Sequence, residues 1–159
     1  VKLVDNALQR IRSVADYQFG RGVGARLFPE NVEILFSKAT GRIRYVKLNG
    51  VRLATLRPTD GLLSISMELA RQIAEIRSMA KCFVTVRTGV SPFIADGGDV
   101  FAVHVVKCDD EIRSKDEVIV VNEKSEVLAV GRALLSSDEM LAFKTGVAVK
   151  VRHGRSEES

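Results

Sequence analysis

Apolar residues recur at two different periods along this chain, and each change of period marks a new element. Val4, Leu8, Ile11 and Ala15 fall at spacings of four, three and four. That is one face of an amphipathic helix, predicted over about residues 4–17. Gly20, Gly22 and Gly24 follow and read as a loop that ends it. The pattern then shifts toward alternation. A weak strand covers 31–36, and Thr40-Gly41 marks a turn. Predicted strands 42–48 and 51–56 flank Asn49-Gly50, a strong two-residue hairpin signal. Pro58 and Asp60-Gly61 make the next turn, and 62–65 gives a further strand. Ser66 is placed to cap a helix whose Leu69, Ile73, Ile76 and Ala80 form a stripe.

Beyond residue 80 the strand period dominates. Strands are predicted at 82–87, 100–106, 117–121, 126–135 and 147–152. Ser136 is followed three residues later by Glu139, a capping box that opens a short helix carrying Leu141 and Phe143, with Gly146 as its stop. Five short strands with one or two short helices fit a small closed or partly open barrel, which leaves few bare edges. The fold class is therefore α+β. An N-terminal helix and antiparallel-sheet domain covers 1–80, a β pseudo-barrel covers 81–153, and a tail covers 154–159.

Composition narrows the possibilities. At 159 residues and 46% hydrophobic, the chain can build a real core but is too short for a (β/α)8 barrel of about 250 residues. Its apolar runs reach only four or five residues, so no membrane partner is expected. Lys2 and Asp5 sit where a signal peptide would need an apolar stretch. Cys82 and Cys108 lie far apart and outside any C-x-x-C, which points to buried free thiols in a reducing, cytoplasmic setting. The net charge of +4 is uneven. Residues 1–80 hold 13 Lys/Arg against 7 Asp/Glu, a surplus of six, while 81–159 hold 11 against 13. A basic first half suits a polyanion or a solvated surface.

Little in the sequence points to catalysis. Gly20-Arg21-Gly22-Val23-Gly24 follows a helix, whereas a dinucleotide-binding loop follows a strand. No phosphate-loop motif with its lysine exists. His104, read as lying inside a strand, and His153, read as lying in the tail, lack metal-ligand spacing. Asp109, Asp110 and Glu111 read as a solvated turn. No cofactor or metal is implied, and the chain is expected not to be an enzyme.

Candidate binding residues stand out instead. The two-residue turn sets Lys47 opposite Arg52 and Arg42 opposite Arg57. Like charges directly opposite destabilise a strand pair by roughly 0.2–1 kcal/mol. Either the side chains splay apart in water or an anion such as a phosphate sits between them. Tyr45 shares the Lys47/Arg52 face, where it can stack on a base or cover part of the core. Gly97-Gly98 either makes a tight turn or offers N–H groups to phosphate and sugar oxygens. Lys144, Lys150, Arg152, His153 and Arg155 add positive charge, and Lys150 and Arg152 alternate with valines so as to share one strand face.

Three segments carry a family resemblance. They are Phe93-Ile94-Ala95-Asp96-Gly97-Gly98-Asp99-Val100-Phe101-Ala102, then Gly131-Arg132-Ala133, then Lys144-Thr145-Gly146-Val147-Ala148-Val149. In this order they resemble a PUA domain, a small RNA-binding pseudo-barrel. The first half adds Ile11 through Gly22, Leu27-Phe28-Pro29, Thr40 through Arg44 and Leu53 through Gly61. These are similar to the region that precedes the PUA domain in archaeosine tRNA-guanine transglycosylases, whose catalytic barrel and zinc site have no counterpart in this sequence. The resemblance implies RNA contacts from Gly97, Gly98, Val100, Arg132, Lys144, Gly146, Lys150 and Arg152. It further implies a non-catalytic module for structured RNA, above all the acceptor stem and 3′ end of tRNA, working with a separate catalytic subunit. The other readings are a protein-assembly subunit and a ribosome- or translation-associated factor.

Overall fold

The computed structural model describes residues 2–158, with side chains from 6 to 156. The side chain of Val4 and the last tail residue, Ser159, lie outside the described residues. The chain divides into two compact units, Val1–Ala80 and Lys81–Ser159.

The first unit opens with α1, Lys2–Phe19. Leu8, Ile11, Ala15 and Phe19 bury one stripe of it. Each fully buried large apolar side chain on that stripe contributes about 1.5–3 kcal/mol by leaving water. The glycine segment that follows is not a plain loop. Gly22 lies just before a second helix, α2, Val23–Leu27. Gly24 belongs to α2 and packs on α1 so closely that a Cβ there would meet the Arg12 carbonyl oxygen at 2.2 Å. Asp16 Oδ1 accepts the Gly24 N–H at 2.7 Å, which locks the two helices. A helix of five residues is too short to leave a period in the sequence.

Four strands then form an antiparallel meander: β1 Glu33–Phe36, β2 Ile43–Leu48, β3 Val51–Leu56 and β4 Leu63–Ile65. Asn49 and Gly50 both have positive φ, 51° and 81°, as the tightest hairpin turn demands. The outer edge of β4 is held by the Gln18 side-chain amide, which accepts from the Leu63 N–H (2.7 Å) and donates to its carbonyl (3.0 Å). Ser66 caps α3, Met67–Glu75, by accepting the Leu69 N–H. The predicted stripe is shortened. Leu69 and Ile73 are buried, but Ile76 and Ala80 lie past the helix, where the chain tightens into a 3-10 turn at Arg77–Met79.

The second unit holds β5 Phe83–Val86, α4 Ser91–Ala95, β6 Val100–Phe101, β7 Val105–Cys108, β8 Glu117–Asn122, β9 Val127–Ala133, α5 Ser137–Ala142 and β10 Val147–Gly154. The strands form one mixed sheet in the order β6-β10-β9-β8-β5-β7, with β5 and β8 parallel. Its two outermost strands, β6 and β7, are joined by the single 3-10 turn Ala102–His104. A link of three residues between opposite edges forces the sheet to curl into a nearly closed barrel. Val84, Val86, Val118, Val120, Leu128, Met140 and Val149 fill it.

The predicted strand 100–106 is therefore two strands, and His104 lies on the turn that breaks it, not within a strand. His153 lies in β10 opposite Val130, not in a tail, and Arg155–Glu158 forms a closing 3-10 turn. Gly146 does not stop α5, which ends at Phe143; Gly146 accepts the Ala102 N–H through its carbonyl instead. Both arms of the capping box are made, Glu139 N–H to Ser136 Oγ and Ser136 N–H to Glu139 Oε1. Asp109 is not solvated as expected from its acidic run. Its Oδ2 accepts the N–H groups of Cys82 (2.6 Å) and Phe83 (2.8 Å) and so fixes the start of β5. Both cysteines are free, but only Cys82 is buried; Cys108 is half-buried, and that partial burial raises its thiol pKa, opposed by its hydrogen bond with Ser137.

Candidate nucleic-acid interface

The glycine loop and the last strand meet in the second unit. β6 runs antiparallel beside β10, with Phe101 opposite Val147 and Val100 opposite Val149. Asp99 continues the contact beyond β6. Its Oδ1 accepts the Val151 N–H at 3.0 Å, and its Oδ2 accepts from Lys150 Nζ at 3.4 Å. At the far end Gly154 passes so close that a Cβ would meet the Ala95 oxygen at 2.3 Å and the Gly97 nitrogen at 2.8 Å. The loop thus lines β10 over most of its length, roughly 25 Å at the usual strand rise.

The loop amides do not play the part the sequence suggests. Gly97, at φ 102°, ends α4 in a Schellman turn. Its N–H donates to the Ile94 carbonyl and that of Gly98 to the Phe93 carbonyl, both at 2.9 Å. Neither amide is left over for a phosphate. The Phe93 ring rests against Gly98, where a Cβ would meet it at 2.2 Å, yet Phe93 remains 56% exposed. Val100 is wholly buried and supports the barrel. What the loop offers outward is its backbone edge and an aromatic ring.

The cations separate into two kinds. Lys150 and Arg132 lie directly opposite each other on β10 and β9, and both are exposed. Lys144 and Gly146 are exposed at the turn that enters β10. Arg152 is already committed. It follows Lys150 by two residues, at a bulge, and its guanidinium forms a two-pronged ion pair with Glu117, whose side chain is fully buried and which lies in the same register row as Arg132 and Lys150. A carboxylate so fully buried needs a counter-charge, and Arg152 supplies it. On the face that Lys150 and Arg152 were expected to share, the exposed cations are Lys150 and Arg132.

In the first unit the hairpin sets Lys47 opposite Arg52. Arg42 does not face Arg57. A bulge between Val46 and Lys47 shifts the register, and the pairing of β2 with β3 ends at Tyr45 and Thr55. Arg42 stays exposed beside the turn. Arg57 is buried, with Nε donating to Asp60 Oδ1 at 3.2 Å and Nη2 2.9 Å from Oδ2. It organises the 57–61 turn and is withdrawn from any surface role. Tyr45 is partly exposed and carries Arg52 Cζ at 4.0 Å from its ring centroid and Lys47 Nζ at 5.6 Å.

Sequence reasoning missed Asp99, Phe93 and Glu117. Asp99 meets a strand 52 positions away and Glu117 an arginine 35 away, and no local pattern announces such contacts. Among the described residues no group of three or more His, Cys, Asp or Glu is arranged to hold a metal ion, and no helix is long and apolar enough to cross a membrane.

Comparison with known proteins bears on both units. Residues 9–79 match the patch-forming domain C2 of tRNA-guanine transglycosylase, and residues 83–155 match the PUA domain. The tRNA-guanine(15) transglycosylase of Pyrococcus furiosus is 45% identical over 153 residues, which are 96% of this chain and 26% of that protein. A hypothetical protein of Pyrococcus horikoshii shares the architecture at TM-score 0.74 and 27% identity, over 94% of this chain and 90% of that one. A conserved PUA domain protein of Thermoplasma acidophilum does so at TM-score 0.65 and 25% identity, over 95% and 89%. The chain spans about a quarter of the length of the curated relatives it matches.

Proposed function

Because the chain belongs with the C-terminal part of the archaeal tRNA-guanine transglycosylases, a C2 domain followed by a PUA domain, we propose that it binds structured RNA without catalysing a reaction itself. The RNA is tRNA, held at the acceptor stem and 3′ end. Base exchange is left to a catalytic part, in trans or in a longer chain, in the cytoplasm.

The single observation that carries this reading is the Asp99-pinned loop beside the exposed Lys150/Arg132 pair. A duplex of A-form RNA presents sugar and phosphate across its shallow minor groove and is recognised there by shape. A rigid backbone edge with a row of cations suits that surface. Lys150 and Arg132 take adjacent phosphates, and Lys144 extends the row past the entry turn. Exposed Phe93 gives an unpaired terminal base an aromatic face to stack on.

Lys150→Ala combined with Arg132→Ala tests it. Neutral replacements are chosen because a carboxylate at position 132 would face Glu117 across the β8–β9 pair. In a filter-binding titration with tRNA, affinity falls by at least about tenfold, and the slope of log K against log salt drops by roughly two. Unchanged affinity and slope reject the role of this strand pair.

One observation favours a second reading, a protein-assembly subunit. Val103, Val106, Leu141 and Phe143 are 45–54% exposed on and around α5 and the turn it packs against. Co-purification of a protein partner that survives nuclease and ignores the Lys150/Arg132 substitutions supports that reading over RNA docking.

A further inference from the structure

The hairpin of the first unit carries a second arrangement that the strand pair of the second does not need. On its outer face Lys47 and Arg52 lie directly opposite each other. Neither makes an ion pair among the described residues. The nearest acid by register is Glu33, opposite Lys47 on β1, and it forms no salt bridge with it. The two cations share one ring, Tyr45, with the Arg52 guanidinium 4.0 Å from its centroid. Arg44 is exposed at the bulge beside Tyr45, between the pairs formed by Ile43 and Tyr45 with β1.

Each ligand class can be weighed against this geometry. A free phosphate would engage Lys47 and Arg52 but make no use of a guanidinium held over a ring. An acidic peptide would do the same. A base-paired duplex hides its base faces inside its own stack. An unpaired nucleotide has both a planar face and an adjacent charge. Guanidinium planes and aromatic rings are the usual stacking partners for splayed bases. Arg52 is exposed, so the side of its guanidinium away from Tyr45 is open to such a base.

We infer that the outer face of the β2–β3 hairpin is a site for unpaired RNA, in which one base stacks on the Tyr45–Arg52 pair while Lys47 and Arg44 hold the neighbouring phosphates. This deepens the RNA-binding reading and rests on it, but it uses a separate set of residues from the duplex contact at Lys150 and Arg132.

The sequence contains no tryptophan and only two tyrosines, Tyr17 and Tyr45. In the full chain carrying Tyr17→Phe, Tyr45 is the sole tyrosine emitter. Titration with a six-nucleotide oligoadenylate is expected to quench it saturably. Inorganic polyphosphate and an abasic ribose-phosphate oligomer of equal length should leave the emission unchanged and compete only weakly. In the same background Arg52→Ala weakens oligoadenylate binding by roughly tenfold. Arg52→Lys, which keeps the charge and loses the plane, fails to restore it.

Binding of a blunt-ended two-stranded RNA duplex, which has no unpaired base, should be the same in all these proteins. Absence of quenching, equal competition by the abasic oligomer, or full rescue by lysine would each overturn the inference. If the duplex still binds, and does so through Lys150 and Arg132, the failure belongs to the β2–β3 face alone. If no RNA binds at all, the broader reading fails with it.

Discussion

The β2–β3 hairpin and the β9–β10 pair set up the same unfavourable event, two cations directly opposite each other on neighbouring strands, and resolve it differently. In the barrel Lys150 is answered by Asp99, reaching in from the adjoining loop, and Arg152 by the buried Glu117. In the hairpin no carboxylate among the described residues is paired with the cations, and a tyrosine ring lies beneath them. The first solution ties Arg152 into the scaffold and only steadies Lys150, whose side chain stays 68% exposed. The second leaves the charge of Lys47 and Arg52 without an ion pair among the described residues. A lysine or arginine in the sequence is therefore not yet a binding residue. The depth of the acid that the fold carries to it decides.

Substitutions can break this contrast at several depths. The largest effect is expected from Arg152→Glu, which sets a second carboxylate against the buried Glu117. Removing one partner of a buried pair costs about 3–5 kcal/mol, read as a lower midpoint in urea unfolding. Gly154→Ala comes next. Its methyl would strike the Ala95 carbonyl, a backbone atom that cannot swing away, for a loss of about 1–3 kcal/mol and weaker tRNA binding as the loop is displaced. Asp99→Ala removes the acceptor of the Val151 N–H, about 1–2 kcal/mol in thermal melting. Tyr45→Leu removes only the ring under two exposed cations and shifts stability by about 0.5–1 kcal/mol. Lys150→Ala sharpens the contrast from the other side, with stability within about 0.5 kcal/mol of the parent and loss seen only in RNA affinity.

The parts legible in the sequence are those specified by neighbours in the chain. Asn49-Gly50 needs positive φ at two adjacent residues, and Ser66 and Ser136 cap helices that begin one residue later. What could not be read depends on distant partners or small irregularities. One bulge beside Lys47 separates Arg42 from Arg57, and the acid that claims Arg152 lies 35 positions away in the chain. The Gly97-Gly98 pair stands out in the sequence, but its amides serve helix termination, which only the position of α4 reveals. Both helices of five residues escaped notice because one turn has no period.

The turn Ala102–His104 has a mechanical consequence. It is the stitch by which both hems of the sheet are sewn together, and β6 cannot slide along β10 without dragging β7 across β5. The edge beside β10 is thus held in place by the sheet's own closure, as a preset surface and not one left to order itself later.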